Sequence, residues 1–196
     1  MKITTFLFDL DDTIIDSRIY AEIYQPILWM IKKRGIDVEQ EVRKLGLEKN
    51  RFGRVDTGDL CKKLDLLKEY YHIFSKHLEV IPSLKKEIIP VLKKLKGKKI
   101  GIISNSMRPT IELYLNQYKL GEYFAFIFSF EDAGCKKHND ECWKKLIKMK
   151  SLNPKECLVI GDNPIDDEKI PKKLGFNTFL IKESKDLKQV LNFINK

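Results

Sequence analysis

The 196-residue sequence predicts an α/β fold, in which a parallel β-sheet lies between two layers of helices and carries a small all-helical insertion. Two observations lead to this fold class. Short apolar segments alternate with helical patterns over most of the chain, which is typical of parallel sheets. The apolar segments also show no regular alternation with polar residues, as expected for strands that helices cover on both faces.

Five segments are predicted to be strands because each is short and apolar and runs into polar residues: 3–9, 98–104, 123–129, 156–162 and 177–182. Helical patterns follow them, over 83–96, 107–118, 139–150, 166–174 and 184–195. These elements predict a three-layer, Rossmann-like core. In such sheets, ligands bind at the carboxyl ends of the strands.

Residues 16–82 interrupt this alternation, because they contain no convincing strand and show three or four helical patterns instead. Gly35 and Gly46 stand where such helices would end. We therefore expect a core domain made of residues 1–15 and 83–196, and a helical cap domain made of residues 16–82.

Several residues of this block, and Asp12 just before it, have structural interpretations. The aromatic side chains are interpreted as the core of the helical block: Tyr20, Tyr24, Trp29 and Phe74. Asp12 and Asp16 are interpreted as helix caps. Arg51 and Arg54, in a polar loop, could contact an anionic substrate or could simply face solvent.

The charge balance favours anionic partners, because 37 Lys and Arg residues against 28 Asp and Glu residues give a net charge of +9. The basic residues are spread along the chain, which is typical of a solvated surface. No apolar run approaches the ~20 residues of a membrane span, and the N-terminus does not resemble a signal peptide. We expect a cytoplasmic protein without a membrane partner. No pattern specifies an oligomeric state.

Polar clusters follow four of the predicted strands, at residues 9–13, 104–106, 134–138 and 161–167. Parallel strands bring such ends to one edge of the sheet, so several carboxylates, hydroxyls and an ammonium group should share one crevice. Two carboxylates about 4 Å apart repel each other by roughly 4 kcal/mol at an effective dielectric of 20. A divalent cation would relieve this repulsion, and ligands that are all oxygen indicate Mg²⁺.

The sequence DLDDT at residues 9–13 resembles the DxDxT motif of the haloacid dehalogenase superfamily, most of whose members are phosphatases. The hydroxyl after the second strand, the lysine before a helix and the GDxxxxD pattern after the fourth strand match the remaining motifs in order. The resemblance covers residues 3–15 and 83–182. The helices between the first two motifs resemble the small C1-type cap of that family.

The resemblance implies a role for each acidic residue. Asp9 would attack phosphorus and form a phosphoaspartate, and it would also bind the metal. Asp11 would act as general acid and then general base, and its backbone carbonyl would bind the metal. Asp162 would be a direct metal ligand, and Asp167 would support the metal from behind, with Asp166 as the alternative.

The resemblance also implies a phosphate-binding set. Ser104 and the backbone amide of Asn105 would bind phosphate oxygens, and Thr13 is placed with them, although it could instead form a hydrogen bond within its loop. Lys137 would bridge the nucleophile and the phosphate. Counting from a different residue selects Lys136 instead.

The sequence therefore predicts a Mg²⁺-dependent phosphatase that hydrolyses a small phosphorylated metabolite, similar to phosphoglycolate, a triose phosphate or a nucleotide. A phosphomutase of the same family is the first alternative. A 2-haloacid dehalogenase is disfavoured by Asp11 and Asp162, which that reaction does not need. A basic binding protein without activity is the last alternative, but no nucleic-acid-binding motif is present, so nucleic acid is not an expected partner.

Overall fold

The computed structural model describes residues 2–49 and 53–194 of the chain. The described residues form two compact units, one from residues 2–16 and 84–194 and the other from residues 17–49 and 53–83. Arg51 lies outside the described residues. We refer to the two parts as the core unit and the helical unit.

The core unit is built on a five-stranded sheet in the order β3-β2-β1-β4-β5, and every neighbouring pair is parallel. The strands are β1 (Thr5–Phe8), β2 (Lys99–Ile103), β3 (Phe126–Phe128), β4 (Cys157–Gly161) and β5 (Asn177–Leu180). The predicted α/β class is therefore confirmed. The two strands that precede the acidic clusters, β1 and β4, are neighbours in the middle of the sheet.

The described residues contain the α-helices α1 (Arg18–Lys33), α2 (Val38–Lys44), α3 (Thr57–Lys63), α4 (Leu67–Val80), α5 (Ile88–Lys94), α6 (Arg108–Gln117), α7 (Phe130–Ala133), α8 (Asp140–Lys150) and α9 (Ile170–Lys173). The chain moves across the sheet in one direction from β1 to β3 and in the other from β4 to β5. Right-handed crossovers therefore place the connecting helices on opposite faces. Among the described helices, none is long and apolar enough to cross a membrane.

A hydrophobic cluster on one face of the sheet fixes β1 and β4. The carboxyl ends of these two strands form the edge of the sheet that carries the acidic residues, which we call the polar edge. Leu7 of β1 and Val159 of β4 are paired across the two strands and are fully buried. They belong to one hydrophobic cluster with Trp143 of α8, whose ring contacts Phe176 at 5.3 Å between centroids. Burying such aromatic and branched side chains stabilises the sheet and holds the ends of β1 and β4 in fixed positions.

Several elements differ from their predicted bounds. The third strand covers only Phe126–Phe128, because Tyr123 belongs to a 3-10 turn and Ser129 is the N-cap of α7. The helix predicted over 166–174 is a π-helical segment, Pro164–Lys169, that continues into α9. The last helical pattern forms a 3-10 segment, Ser184–Phe193.

The helical unit is organised around α1, which buries an isoleucine on nearly every turn: Ile19, Ile23, Ile27 and Ile31. Phe74 of α4 is fully buried, and its ring lies 5.7 Å from the ring of Tyr20. Trp29 is not part of this core, because it lies on the opposite face of α1 and is 60% exposed. The interpretation of Trp29 as a core residue was therefore wrong.

Two other interpretations concern the polar residues of this region. The N-cap position of α1 is Ser17, so neither Asp12 nor Asp16 occupies it. Asp12 adopts a positive φ of 55° and belongs to the turn after β1. The Arg54 guanidinium lies 5.1 Å from the centre of the Tyr24 ring, within the helical unit.

Candidate active site

Asp9 is placed at the polar edge by an extension of the sheet. Its backbone N–H donates to the carbonyl of Ile160 over 2.8 Å, so the β1–β4 ladder continues one residue beyond the last paired position. The chain then turns, because the carbonyl of Leu10 accepts from the N–H groups of Ile14 and Ile15 at 2.9 and 3.0 Å. This turn leaves the Asp9 side chain buried at the strand end.

The Lys137 side chain extends from the loop before α8 to the carboxylate of Asp9. Its ammonium group donates to Asp9 Oδ1 and, over 2.7 Å, to Asp167 Oδ1. The backbone of this residue is fixed because the Trp143 indole N–H donates to its carbonyl over 2.8 Å. Lys137 is buried and the neighbouring Lys136 is exposed. The structure therefore brings Lys137, and not Lys136, to the carboxylates.

Asn105 joins two loops through its side chain. Its Oδ1 accepts from the backbone N–H of Lys137 over 2.8 Å, and its Nδ2 donates to Asp166 Oδ2 over 2.9 Å. Asp166 is therefore turned toward the loop after β2, whereas Asp167 lies against Lys137. The side-chain role of Asn105 was not predicted, since the sequence pointed only to its backbone amide.

The segment after β4 turns back on itself to deliver Asp167. Asn163 caps it, and its Oδ1 accepts from the N–H groups of Ile165 and Asp166 at 2.9 and 3.1 Å. The backbone N–H of Asn163 in turn donates to Asp167 Oδ2 over 3.1 Å. An α-helix would require the N–H of residue 171 to donate to the carbonyl of Asp167. Residue 171 is a proline and has no N–H, so the π-helical hydrogen-bond pattern before it is compatible with the sequence.

Three carboxylates meet at this edge of the sheet. Oxygen atoms of Asp9, Asp162 and Asp167 all lie within 4.8 Å of one another. Three carboxylates face one ammonium group, that of Lys137, which leaves two negative charges. At this separation two unit charges repel by about 3.5 kcal/mol at an effective dielectric of 20. A divalent cation fits both the charge and the all-oxygen donor set.

The same crowding perturbs the pKa values. Burial raises the pKa of Asp9 well above its ordinary value, and the neighbouring carboxylates add to this effect while Lys137 opposes it. Asp162 is exposed on one side, and its partial burial raises its pKa to about 6, with further contributions from Asp167 and Asp12. Burial disfavours the Lys137 ammonium, but Asp9 and Asp167 outweigh burial and raise the pKa of Lys137. The lysine therefore stays charged.

The hydroxyl groups near the site differ in their accessibility. Ser104 is buried, and its Oγ accepts from the N–H of Ser106 over 3.0 Å. Thr13 is fully buried, and its Oγ1 has no hydrogen-bond partner among the described residues. Ser106 was given no role by the sequence, yet its hydroxyl donates to Asp11 Oδ2 over 2.7 Å. The available signal was its place in the polar cluster after β2.

An open cleft of about 490 Å³ borders this site within the core unit. Three acidic residues, Asp12, Asp162 and Glu183, and two basic ones, Lys85 and Lys182, contribute to its lining. Clefts of this size bind small molecules in other proteins.

The family model described as haloacid dehalogenase-like hydrolase matches residues 6–181. The chain belongs to this family. Family membership and the parallel five-stranded sheet agree with the resemblance that the four motifs indicated. The protein is thus an enzyme of a hydrolase family.

Individual relatives extend this comparison. Pyrophosphatase PpaX from Bacillus thuringiensis (strain Al Hakam) is 27% identical over 170 residues, which cover 85% of this chain and 77% of the relative. The fold is similar to that of the HAD hydrolase YfnB from Bacillus subtilis in a magnesium-bound form, with a TM-score of 0.64, 20% identity and coverage of 98% and 100% of the two chains. A HAD phosphatase from Thermococcus onnurineus gives a TM-score of 0.66 at 21% identity, with coverage of 97% and 98%.

Gly161 leaves the space that the Asp167 carboxylate occupies. A Cβ at this position would lie 2.2 Å from Asp167 Cγ, far inside van der Waals contact. We expect Gly161→Ala to displace this carboxylate and to lower the affinity for divalent cations by about ten- to a hundredfold, as other losses of ligand support do. Titration calorimetry with Mg²⁺ measures this change.

Gly121→Ala is the matched control, because a Cβ at Gly121 meets no atom within 4 Å. It should bind cations as the wild type does. If Gly161→Ala also kept the wild-type affinity, Asp167 would not contribute to cation binding.

Proposed function

We propose that this protein is a Mg²⁺-dependent phosphatase that hydrolyses a small phosphorylated metabolite through a phosphoaspartate on Asp9. The observation that carries the proposal is the buried contact of Lys137 with both Asp9 and Asp167, beside the exposed carboxylate of Asp162. The names of the relatives, a pyrophosphatase and a HAD phosphatase, support the same reaction class.

In this proposal, side chains of Asp9 and Asp162 and the backbone carbonyl of Asp11 hold Mg²⁺, with Asp167 in support. The bound ion would neutralise the carboxylates and orient a phosphate group for attack. The proximity of Asp9, Asp162 and Asp167 supports this assignment. The magnesium-bound state of YfnB is a further reason to test this ion first.

The reaction uses two steps at Asp9. A carboxylate oxygen of Asp9 attacks phosphorus, the bond from phosphorus to the leaving oxygen breaks, and Asp11 gives that oxygen a proton. Water then attacks the phosphoaspartate, Asp11 accepts its proton, and inorganic phosphate leaves as Asp9 is regenerated. Lys137 remains charged throughout and stabilises the negative charge between Asp9 and the phosphoryl group.

The phosphate would be bound by the loop after β2. The Ser104 oxygen already accepts from the N–H of Ser106, so its hydrogen is available to donate to a phosphate oxygen. The backbone N–H of Asn105 would donate beside it. Thr13 stays a candidate member of this phosphate-binding set, because its buried Oγ1 has no hydrogen-bond partner among the described residues.

We further propose that the substrate is small and that the helical unit serves as the cap that selects it, as the family resemblance implies. The size of the cleft beside Asp162 suits a small molecule. Pyrophosphate belongs in the first substrate screen because of the name of the Bacillus relatives, beside phosphoglycolate, triose phosphates and nucleoside monophosphates.

Hydrolysis of p-nitrophenyl phosphate tests the proposal, with Asp9→Asn as the decisive variant. We expect release of p-nitrophenol with Mg²⁺, none with EDTA, and a loss of more than about a thousandfold in Asp9→Asn, because the nucleophile is gone. Asp65→Asn, at an exposed position, is the matched control and should keep wild-type activity. Wild-type rates in Asp9→Asn would rule out Asp9 as the nucleophile.

The two adjacent lysines allow a second matched comparison. Lys137→Met should lower kcat by about a hundredfold or more, because it removes the buried cation that faces the phosphoryl group. Lys136→Met should stay close to wild type, since this side chain is exposed. Steady-state kinetics on both variants measures the difference, and a larger loss in Lys136→Met would reverse the assignment.

A further inference from the structure

Asp11 is contacted by a hydroxyl group to which neither the sequence nor the proposed mechanism assigns a role. The Ser106 hydroxyl donates to Asp11 Oδ2 over 2.7 Å, and both side chains are half-buried. We propose that Ser106 is a positioning residue that orients the Asp11 carboxyl group for proton transfer with the reacting oxygen. This inference rests on the proposed function, in which Asp11 is the general acid and base.

The backbone of Ser106 is held on both sides of its side chain. Its N–H donates to Ser104 Oγ over 3.0 Å, and its carbonyl accepts from the N–H of Phe130 at the start of α7 over 3.3 Å. The strand before it, β2, is paired with β1, with Phe8 opposite Ile102. The sheet therefore fixes the hydroxyl relative to the turn that carries Asp11.

An aspartate needs such a partner because two rotatable bonds separate its carboxyl group from the backbone. General acid catalysis requires one carboxyl oxygen within hydrogen-bond distance of the leaving oxygen. A hydrogen bond to Oδ2 restricts both torsions and so limits where the other oxygen can lie. Small misplacements of a catalytic group lower rates substantially.

A hydroxyl suits this task better than a cation. The Ser106 hydroxyl can donate to the carboxylate and can also accept from the protonated acid, because a hydroxyl is both donor and acceptor. The contact can therefore persist while Asp11 alternates between acid and base. A lysine or arginine at this place would favour the carboxylate and disfavour the protonated acid.

Ser106→Ala isolates the hydroxyl, because the two backbone hydrogen bonds of residue 106 do not involve the side chain. The readout is kcat/KM for phenyl phosphate and for p-nitrophenyl phosphate, since this constant reports the steps through the first irreversible departure of the leaving group. Phenolate needs protonation far more than p-nitrophenolate does. We expect a loss of about tenfold for phenyl phosphate and less than about twofold for p-nitrophenyl phosphate.

Two further variants test whether this difference between the two substrates comes from the hydroxyl and from Asp11. Ser106→Thr keeps the hydroxyl and should restore most of the activity on phenyl phosphate. Asp11→Asn should show the same substrate dependence with a larger amplitude. Ser75→Ala is the matched control, because it removes a helix hydroxyl that donates to the carbonyl of His72 in its own helix. The Mg²⁺ concentration for half-maximal activity should be the same in Ser106→Ala as in the wild type.

The outcomes separate the two proposals. Equal losses on both substrates, or wild-type values on both, would overturn the role of Ser106 while leaving the phosphatase assignment intact. A loss that Ser106→Thr does not restore would also overturn it. A wild-type enzyme that hydrolyses neither ester nor any phosphometabolite would overturn the proposed function, and the role of Ser106 with it.

Discussion

Electrostatic repulsion among the carboxylates at the ends of β1 and β4 is the constraint on which the site depends. Asp9, Asp162 and Asp167 converge within 4.8 Å, and Lys137 supplies one buried positive charge among them. Buried charges of one sign are unfavourable unless they are compensated. Burial of Asp9 and partial burial of Asp162 raise the pKa of each carboxyl group, and the neighbouring carboxylates add to the rise. A divalent cation would convert the same arrangement into a binding site for phosphate.

The fold withstands this repulsion because apolar packing fixes the elements that carry the charges. Leu7 and Val159 hold β1 and β4 side by side in one buried cluster. Trp143 belongs to the same cluster, and its indole N–H fixes the backbone of Lys137. Gly161 lets the carboxylate of Asp167 lie directly against the strand end. The hydrophobic cluster therefore fixes the position of a site residue directly, through the hydrogen bond from Trp143 to the backbone of Lys137.

Periodicity and strand-end position predicted the α/β fold and the clustering of polar residues, and the resemblance of the DLDDT and GDxxxxD motifs predicted the family. They could not separate Lys136 from Lys137, because adjacent loop residues differ in burial only after the chain is folded. The choice between Asp166 and Asp167 depends on a π-helical turn, which the sequence pattern does not encode. The contact of Ser106 with Asp11 joins residues that are 95 positions apart, so no local pattern could predict it.

Crystallographic location of Mn²⁺, a paramagnetic substitute for Mg²⁺ with a strong anomalous signal, would test the central claim most directly. We expect one anomalous peak within coordination distance of the carboxylates of Asp9 and Asp162, with Asp167 and Lys137 beside it. No peak at saturating Mn²⁺, or a peak elsewhere in the core unit, would contradict the claim that these carboxylates form a divalent-cation site.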